Sequence, residues 1–127
     1  MPPSKARMIL GPAAVIGVTA NTIADVLAVS QLDIDYFGFG PFRETTTKKK
    51  LAPVLGLEGM RRLCFEAEEN KINIPRVAVG GILPDDVLPL IEAGVNGIAV
   101  SGAIAAALDP VKATERFISL LPKTEDD

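Results

Sequence analysis

The chain has 127 residues, enough for one domain with its own core and too few for two. Lys and Arg number 13 against 16 Asp and Glu, a net charge of -3, so no general electrostatic attraction to nucleic acid or to an anionic membrane is expected. The 48% of hydrophobic residues suffices for a folded core, and one cysteine with no histidine excludes an intrachain disulfide, a Cys-based zinc cluster and Ser-His-Asp or Cys-His catalysis. No apolar run approaches the roughly 20 residues of a membrane span. The amino terminus carries no secretory signal pattern, so the chain is read as a soluble cytoplasmic protein.

Behind two prolines, Ser4 to Leu10 predicts a short helix with Ser4 as its cap, stopped by Gly11-Pro12. Val15 to Thr19 is a β-branched run that reads as a buried strand, and Asn21-Thr22 caps a helix reaching Gln31. Tyr36 to Gly40 is the second strand, followed by a polar, basic loop to Lys50 and an apolar, proline-containing stretch to Gly56. Leu57 to Asn70 places Leu57, Met60, Leu63, Cys64 and Ala67 on one helical face, so Cys64 is expected in the core and not as a reactive thiol. Val77 to Val79 is the third strand, Asp85 to Ala93 a helix closed by Gly94, and Gly97 to Ser101 the fourth strand. A last helix starts near Ala103 and continues or restarts after Asp109-Pro110 to Leu121. The strand starts are separated by 21, 41 and 20 residues, the step of parallel βα units with one enlarged loop. Four such units fit an open doubly wound sheet or half of an eight-unit barrel, which takes about 250 residues.

Chemistry concentrates where parallel strands end. Val77-Ala-Val-Gly-Gly-Ile82 puts Gly80 and Gly81 at a strand end before a helix, where bare backbone N–H groups approach an anion. The alternative is a tight turn and nothing more. Ser101-Gly102 ends the fourth strand in the same way, one βα unit after Gly81, and neighbouring loops of this kind form phosphate sites in βα barrels. The run Thr45-Thr-Thr-Lys-Lys-Lys50 follows the second strand. Such a run is usually only a solvated surface, yet here its hydroxyls and ammonium groups stand at a strand end and suit phosphate or pyrophosphate oxygens.

Taken in order, Tyr36-Phe-Gly-Phe-Gly-Pro41, Thr45-x-Thr47-Lys48, Leu55-Gly-Leu-Glu-Gly59, Ala78-Val-Gly-Gly-Ile82 and Gly97-Ile-Ala-Val-Ser101 resemble the carboxyl-terminal half of thiamine-phosphate synthase. The resemblance spans about Ser4 to Leu121. It implies an α/β fold that is half of a (β/α)8 barrel, equivalent to strands 5 to 8. It also implies a transferase that joins hydroxyethylthiazole phosphate to hydroxymethylpyrimidine diphosphate with magnesium. Pyrophosphate would leave first and the thiazole nitrogen would capture the pyrimidine methyl cation. By the same resemblance Lys48 contacts the departing pyrophosphate, and Thr45 and Thr47 shape the site around both phosphorylated groups. Gly80, Gly81, Ser101 and Gly102 hold the thiazole phosphate, and Thr19 supplies a hydroxyl near the diphosphate.

The sequence departs from that pattern in places. Gly102 stands where many members have serine and Asn21 where histidine is common; the related thiazole tautomerases use a histidine in this region, so a histidine-free chain favours the synthase. The family's first half, with its pyrimidine pocket, diphosphate-binding arginine and lysine and acidic magnesium ligands, has no counterpart among these residues. Glu44, Asp85 and Asp86 read as solvated or capping carboxylates, and no metal ligands are assigned. The expectation is therefore a single domain over residues 1–127, a shortened synthase barrel whose Met1 opens on the helix before the fifth barrel strand. A catalytically silent phosphate-binding fragment is the reading from a different class. Two exposed sheet edges and little charge repulsion predict a homo-oligomer.

Overall fold

A computed structural model describes residues 2–44, 53–100, 102–105 and 107–121. Four parallel strands, β1 (Gly17–Ala20), β2 (Tyr36–Phe39), β3 (Arg76–Val79) and β4 (Gly97–Ala99), form a single sheet in the order β1-β2-β3-β4. The described residues also form six helices: α1 (Pro3–Leu10), α2 (Ile23–Val29), α3 (Gly56–Glu69), α4 (Val87–Ala93), α5 (Gly102–Ala105) and α6 (Pro110–Leu120). Sequential strand order with right-handed crossovers sends every connecting helix to the same side of the sheet. The contacts agree, since α2 packs on α3, α3 on α4 and α4 on α6. This is the half-barrel arrangement; a doubly wound sheet would place helices on both faces.

Strand alternation separates the two faces. Ala20, Phe37, Phe39 and Ala78 turn toward the helices and are buried with Val26, Met60, Leu63, Cys64, Val87, Leu90 and Phe117. The Phe37 and Phe39 rings lie 5.8 Å apart. Gly17, Thr19, Tyr36, Gly38, Val77, Val79, Gly97 and Ala99 occupy the opposite face, where the Tyr36 ring lies over Gly17 and a side chain at Gly38 would meet Val79 and Thr19. No helix among the described residues covers that face, and Thr19, Tyr36 and Ala99 are exposed on it. It corresponds to the interior of a closed barrel.

Among the described residues Arg76 is the one charged residue in the core, 6% exposed. It stands on the helix side at the start of β3, where its Nε donates to the Gly94 carbonyl at 3.1 Å and its Nη2 pairs with Glu68. A buried guanidinium needs such partners, because an unpaired charge there would be prohibitive. Arg7 does comparable work at the same end of the sheet. Its guanidinium donates to the Ala14 carbonyl (2.6 Å) and the Asp33 carbonyl (3.1 Å), and pairs with Asp35 (3.0 Å), tying α1 to the entries of β1 and β2.

Several element boundaries differ from the sequence reading. Helix α1 starts at Pro3 with Pro2 as its N-cap and no side-chain cap, so Ser4 is inside the helix; proline at the first position lacks the N–H that a cap would satisfy. Strand β1 begins at Gly17, not Val15, because Val15 is exposed and the Ile16 N–H is taken by the Asp35 carboxylate at 2.6 Å. Pairing of β4 ends at Ala99. The helix expected from Asp85 is preceded by a 3-10 turn at Pro84–Asp86, so α4 itself starts at Val87. The last helix restarts, with the Asp109 carboxylate accepting from the Lys112 N–H at 3.1 Å to open α6. Thr22 caps α2 as expected, in a reciprocal box with Asp25.

Candidate functional site at the carboxyl ends of the strands

The loops leaving β2 and β3 meet above the carboxyl ends of their strands. The Phe42 N–H donates to the Val79 carbonyl at 2.9 Å and the Arg43 N–H to the Gly80 carbonyl at 3.0 Å, so the two loops run side by side. The approach is close enough to require glycine. A Cβ on Gly80 would stand 2.9 Å from Pro41 Cα and Cβ, and φ there is +98°. Gly81 follows at φ +68°, and two successive left-handed residues turn the chain sharply toward the Pro84–Asp86 turn.

The long loop after β2 closes on itself. Leu55 N–H donates to the Pro41 carbonyl at 2.8 Å and Gly56 N–H to the Phe42 carbonyl at 3.0 Å, so the chain returns at Leu55 beside the point where it left at Phe42. Asn21, just past β1, adds a clasp: its Nδ2 donates to Gly40 (3.0 Å) before the loop and to Pro53 (2.8 Å) after it. Arg43, above the Phe42 ring at 5.1 Å, pairs through both guanidinium ends with Asp86 at 2.9 and 3.1 Å and donates to the Gly81 carbonyl. Asp86 also accepts from the Leu83 N–H at 2.8 Å. Burial pushes the Asp86 carboxyl up, but the hydrogen bonds from Arg43 and Leu83 outweigh it and hold the group below the usual carboxylate range.

The predicted site residues distribute as follows. Gly80 and Gly81 form the turn just described, and Gly102 opens α5 after β4, one loop further along. Thr19 is the penultimate residue of β1 and lies on the open sheet face beside Gly38. Thr45, Thr47, Lys48 and Ser101 lie outside the described residues. Asp86 has the capping role expected for it, and Asp85 is exposed near Arg116. No group of three potential metal ligands occurs among the described residues. With Asp86 committed to Arg43, the carboxylates among the described residues do not fit a magnesium site. Cys64 is buried in the core as expected, and burial raises its thiol pKa. Sequence reasoning missed the Asn21 clasp and the Arg43–Asp86 pair, whose members lie 19 to 43 residues apart with no spacing rule to join them.

A four-stranded parallel half-barrel with glycine turns at the carboxyl ends of its strands defines the βα-barrel class, in which ligand sites form at that end. The family model described as "Thiamine monophosphate synthase" matches residues 1–104, and the chain belongs to that family. It is 52% identical over 120 residues to the thiamine-phosphate synthase of Bacteroides fragilis and 48% identical to that of Bacteroides thetaiotaomicron, covering 94% of this chain in both cases. Those matches cover 59% and 57% of the two relatives, so the chain spans a little over half their length. The solved thiamine phosphate pyrophosphorylase from Pyrococcus furiosus superposes with a TM-score of 0.78 at 34% identity, over 94% of this chain and 54% of that one. A structure described as native KDPGal, at 14% identity and a TM-score of 0.70, shares the fold. No helix among the described residues is long and apolar enough to cross a membrane.

Proposed function

We propose that these residues form the phosphate-holding half of a thiamine-phosphate synthase, which couples hydroxyethylthiazole phosphate to hydroxymethylpyrimidine diphosphate and releases pyrophosphate in the cytoplasm. The observation that carries the proposal is the contact of the Gly80–Gly81 turn with Phe42 and Arg43, where the chain leaves the carboxyl end of β2. In this reading the backbone N–H groups after β3, together with Ser101 and Gly102 after β4, hold the thiazole phosphate. Thr45 and Thr47 shape the space between the two phosphorylated groups. Lys48 neutralises charge on the departing pyrophosphate as the carbon–oxygen bond breaks, and the thiazole nitrogen then forms the new carbon–nitrogen bond. Thr19 points a hydroxyl into the barrel interior near the diphosphate. Magnesium belongs to this chemistry through the family, but the described carboxylates do not fit it.

The open face and the free edges of β1 and β4 require covering. Met8, Ile9, Leu10 and Val15 extend an exposed apolar surface beside β1, and self-association through these edges completes a barrel-like assembly. A coupling assay with both substrates and magnesium, run beside calorimetry with thiazole phosphate, tests the function. Turnover that Lys48→Ala abolishes supports the transferase. Phosphate binding without turnover assigns the chain to the silent phosphate-binding class, and neither binding nor turnover refutes the site.

A further inference from the structure

The Arg43–Asp86 pair ties together two site loops that are far apart in sequence, and the family reading assigns it no role. Arg43 grips the Gly80–Gly81 turn by its carbonyls: the main-chain N–H donates to Gly80 at 3.0 Å, and Nη1 donates to Gly81. In a planar trans peptide the C=O and N–H point in opposite directions. With the Gly80 and Gly81 carbonyls turned toward Arg43, the N–H groups of Gly81 and Ile82 are directed away from it. Among the described residues no hydrogen bond takes either N–H. Two successive, similarly directed donors form an anion cradle. Asp86 fixes the arrangement from the other side, holding both guanidinium ends and the Leu83 N–H.

We infer that Arg43 and Asp86 are positioning residues, a strut that sets the anion affinity of the Gly80–Gly81 turn by holding its carbonyls back and its N–H groups forward. The inference rests on the reading of this turn as the phosphate holder. Arg43 acts through the turn and not as a contact to the anion: both Nη1 donors and one Nη2 donor are engaged by Asp86 and the Gly81 carbonyl.

The two roles predict opposite signs for one substitution. If Arg43 touched the anion, Asp86→Asn would free the guanidinium, remove a nearby negative charge and tighten binding. A strut predicts weaker binding. The experiment is an amide-resolved NMR titration of the 127-residue chain with inorganic phosphate and with thiazole phosphate, below each variant's melting temperature. Asp86→Asn and Arg43→Ala should each weaken binding about fivefold or more, the scale of one lost hydrogen-bonded constraint. The double variant should be no weaker than the worse single one, since both remove the same strut. Arg43→Lys keeps a cation for Asp86 without the fork that reaches Gly81, and should fall between wild type and Arg43→Ala. The Gly81 and Ile82 amide resonances of the free variants should shift in the same order. Tighter binding by Asp86→Asn, or lower melting temperatures with unchanged affinity and unchanged Gly81 and Ile82 resonances, overturns the strut alone. A wild-type chain whose Gly81 and Ile82 amides ignore both phosphates overturns the phosphate-holder reading, and the strut with it.

Discussion

Replacing Gly80 by alanine tests the close approach of the two site loops. The residue sits at φ +98°, and its new Cβ would stand 2.9 Å from Pro41 Cα and Cβ and 3.1 Å from Phe42 N. Left-handed backbone costs an L-residue about 1–2 kcal/mol. The clash adds about 1–3 kcal/mol of overpacking, because the atoms it meets are not free to move. Phe42 N–H is bonded to the Val79 carbonyl and Pro41 O to the Leu55 N–H, so relief requires breaking the contact between the loops. Gly56→Ala supplies the control: Gly56 has φ +64° with nothing within 4 Å of its would-be Cβ, so only the backbone contribution of about 1–2 kcal/mol applies. Urea denaturation followed by circular dichroism should show unchanged m-values, a midpoint lowered modestly by Gly56→Ala, and one lowered about twice as far by Gly80→Ala. Equal losses for the two variants would refute the idea that the β2 and β3 loops are held in contact.

Further expectations follow from local chemistry. Thr22→Ala removes the capping box of α2 and should cost about 1 kcal/mol in the same denaturation assay; a loss within error would mean that the box contributes nothing. The Asp35 carboxyl is held below its ordinary range first by the Ile16 N–H and then by Arg7, and Asp86 is lowered as well. Depressed carboxylate pKa values give stability that is present above about pH 4, the unfolded value, and is lost as pH falls through the folded values. Melting temperature should therefore fall on acidification below pH of about 4, less steeply in Asp35→Asn, and a rise would contradict the assignment. Burial raises the Cys64 thiol and leaves it 2% exposed, so a thiol reagent should label it far more slowly in the native protein than in the urea-unfolded chain; equal rates would contradict its place in the core.

The division between what was legible in the sequence and what was not follows the range of the interactions. The alternation of short β-branched runs with amphipathic segments carries the parallel α/β order, because each element must present its own apolar residues at its own period whatever it packs against. Thr22 and Asp25 announce the start of α2, and Gly80-Gly81 the turn after β3, since caps and left-handed turns are decided within three or four residues. Tertiary structure alone decided where β1 begins, because a carboxylate 19 residues away, on Asp35, takes the Ile16 N–H. It decided that Met8, Ile9 and Leu10, apolar in a helical stretch, stay exposed, and that Arg76 is buried among partners from α3 and the α4 terminus. It also joined Asn21 to both ends of the long loop, and Arg43 to Asp86, 43 residues apart. Long-range polar pairs follow no period. Only the folded sheet, by bringing strand ends side by side, determines which donor faces which acceptor.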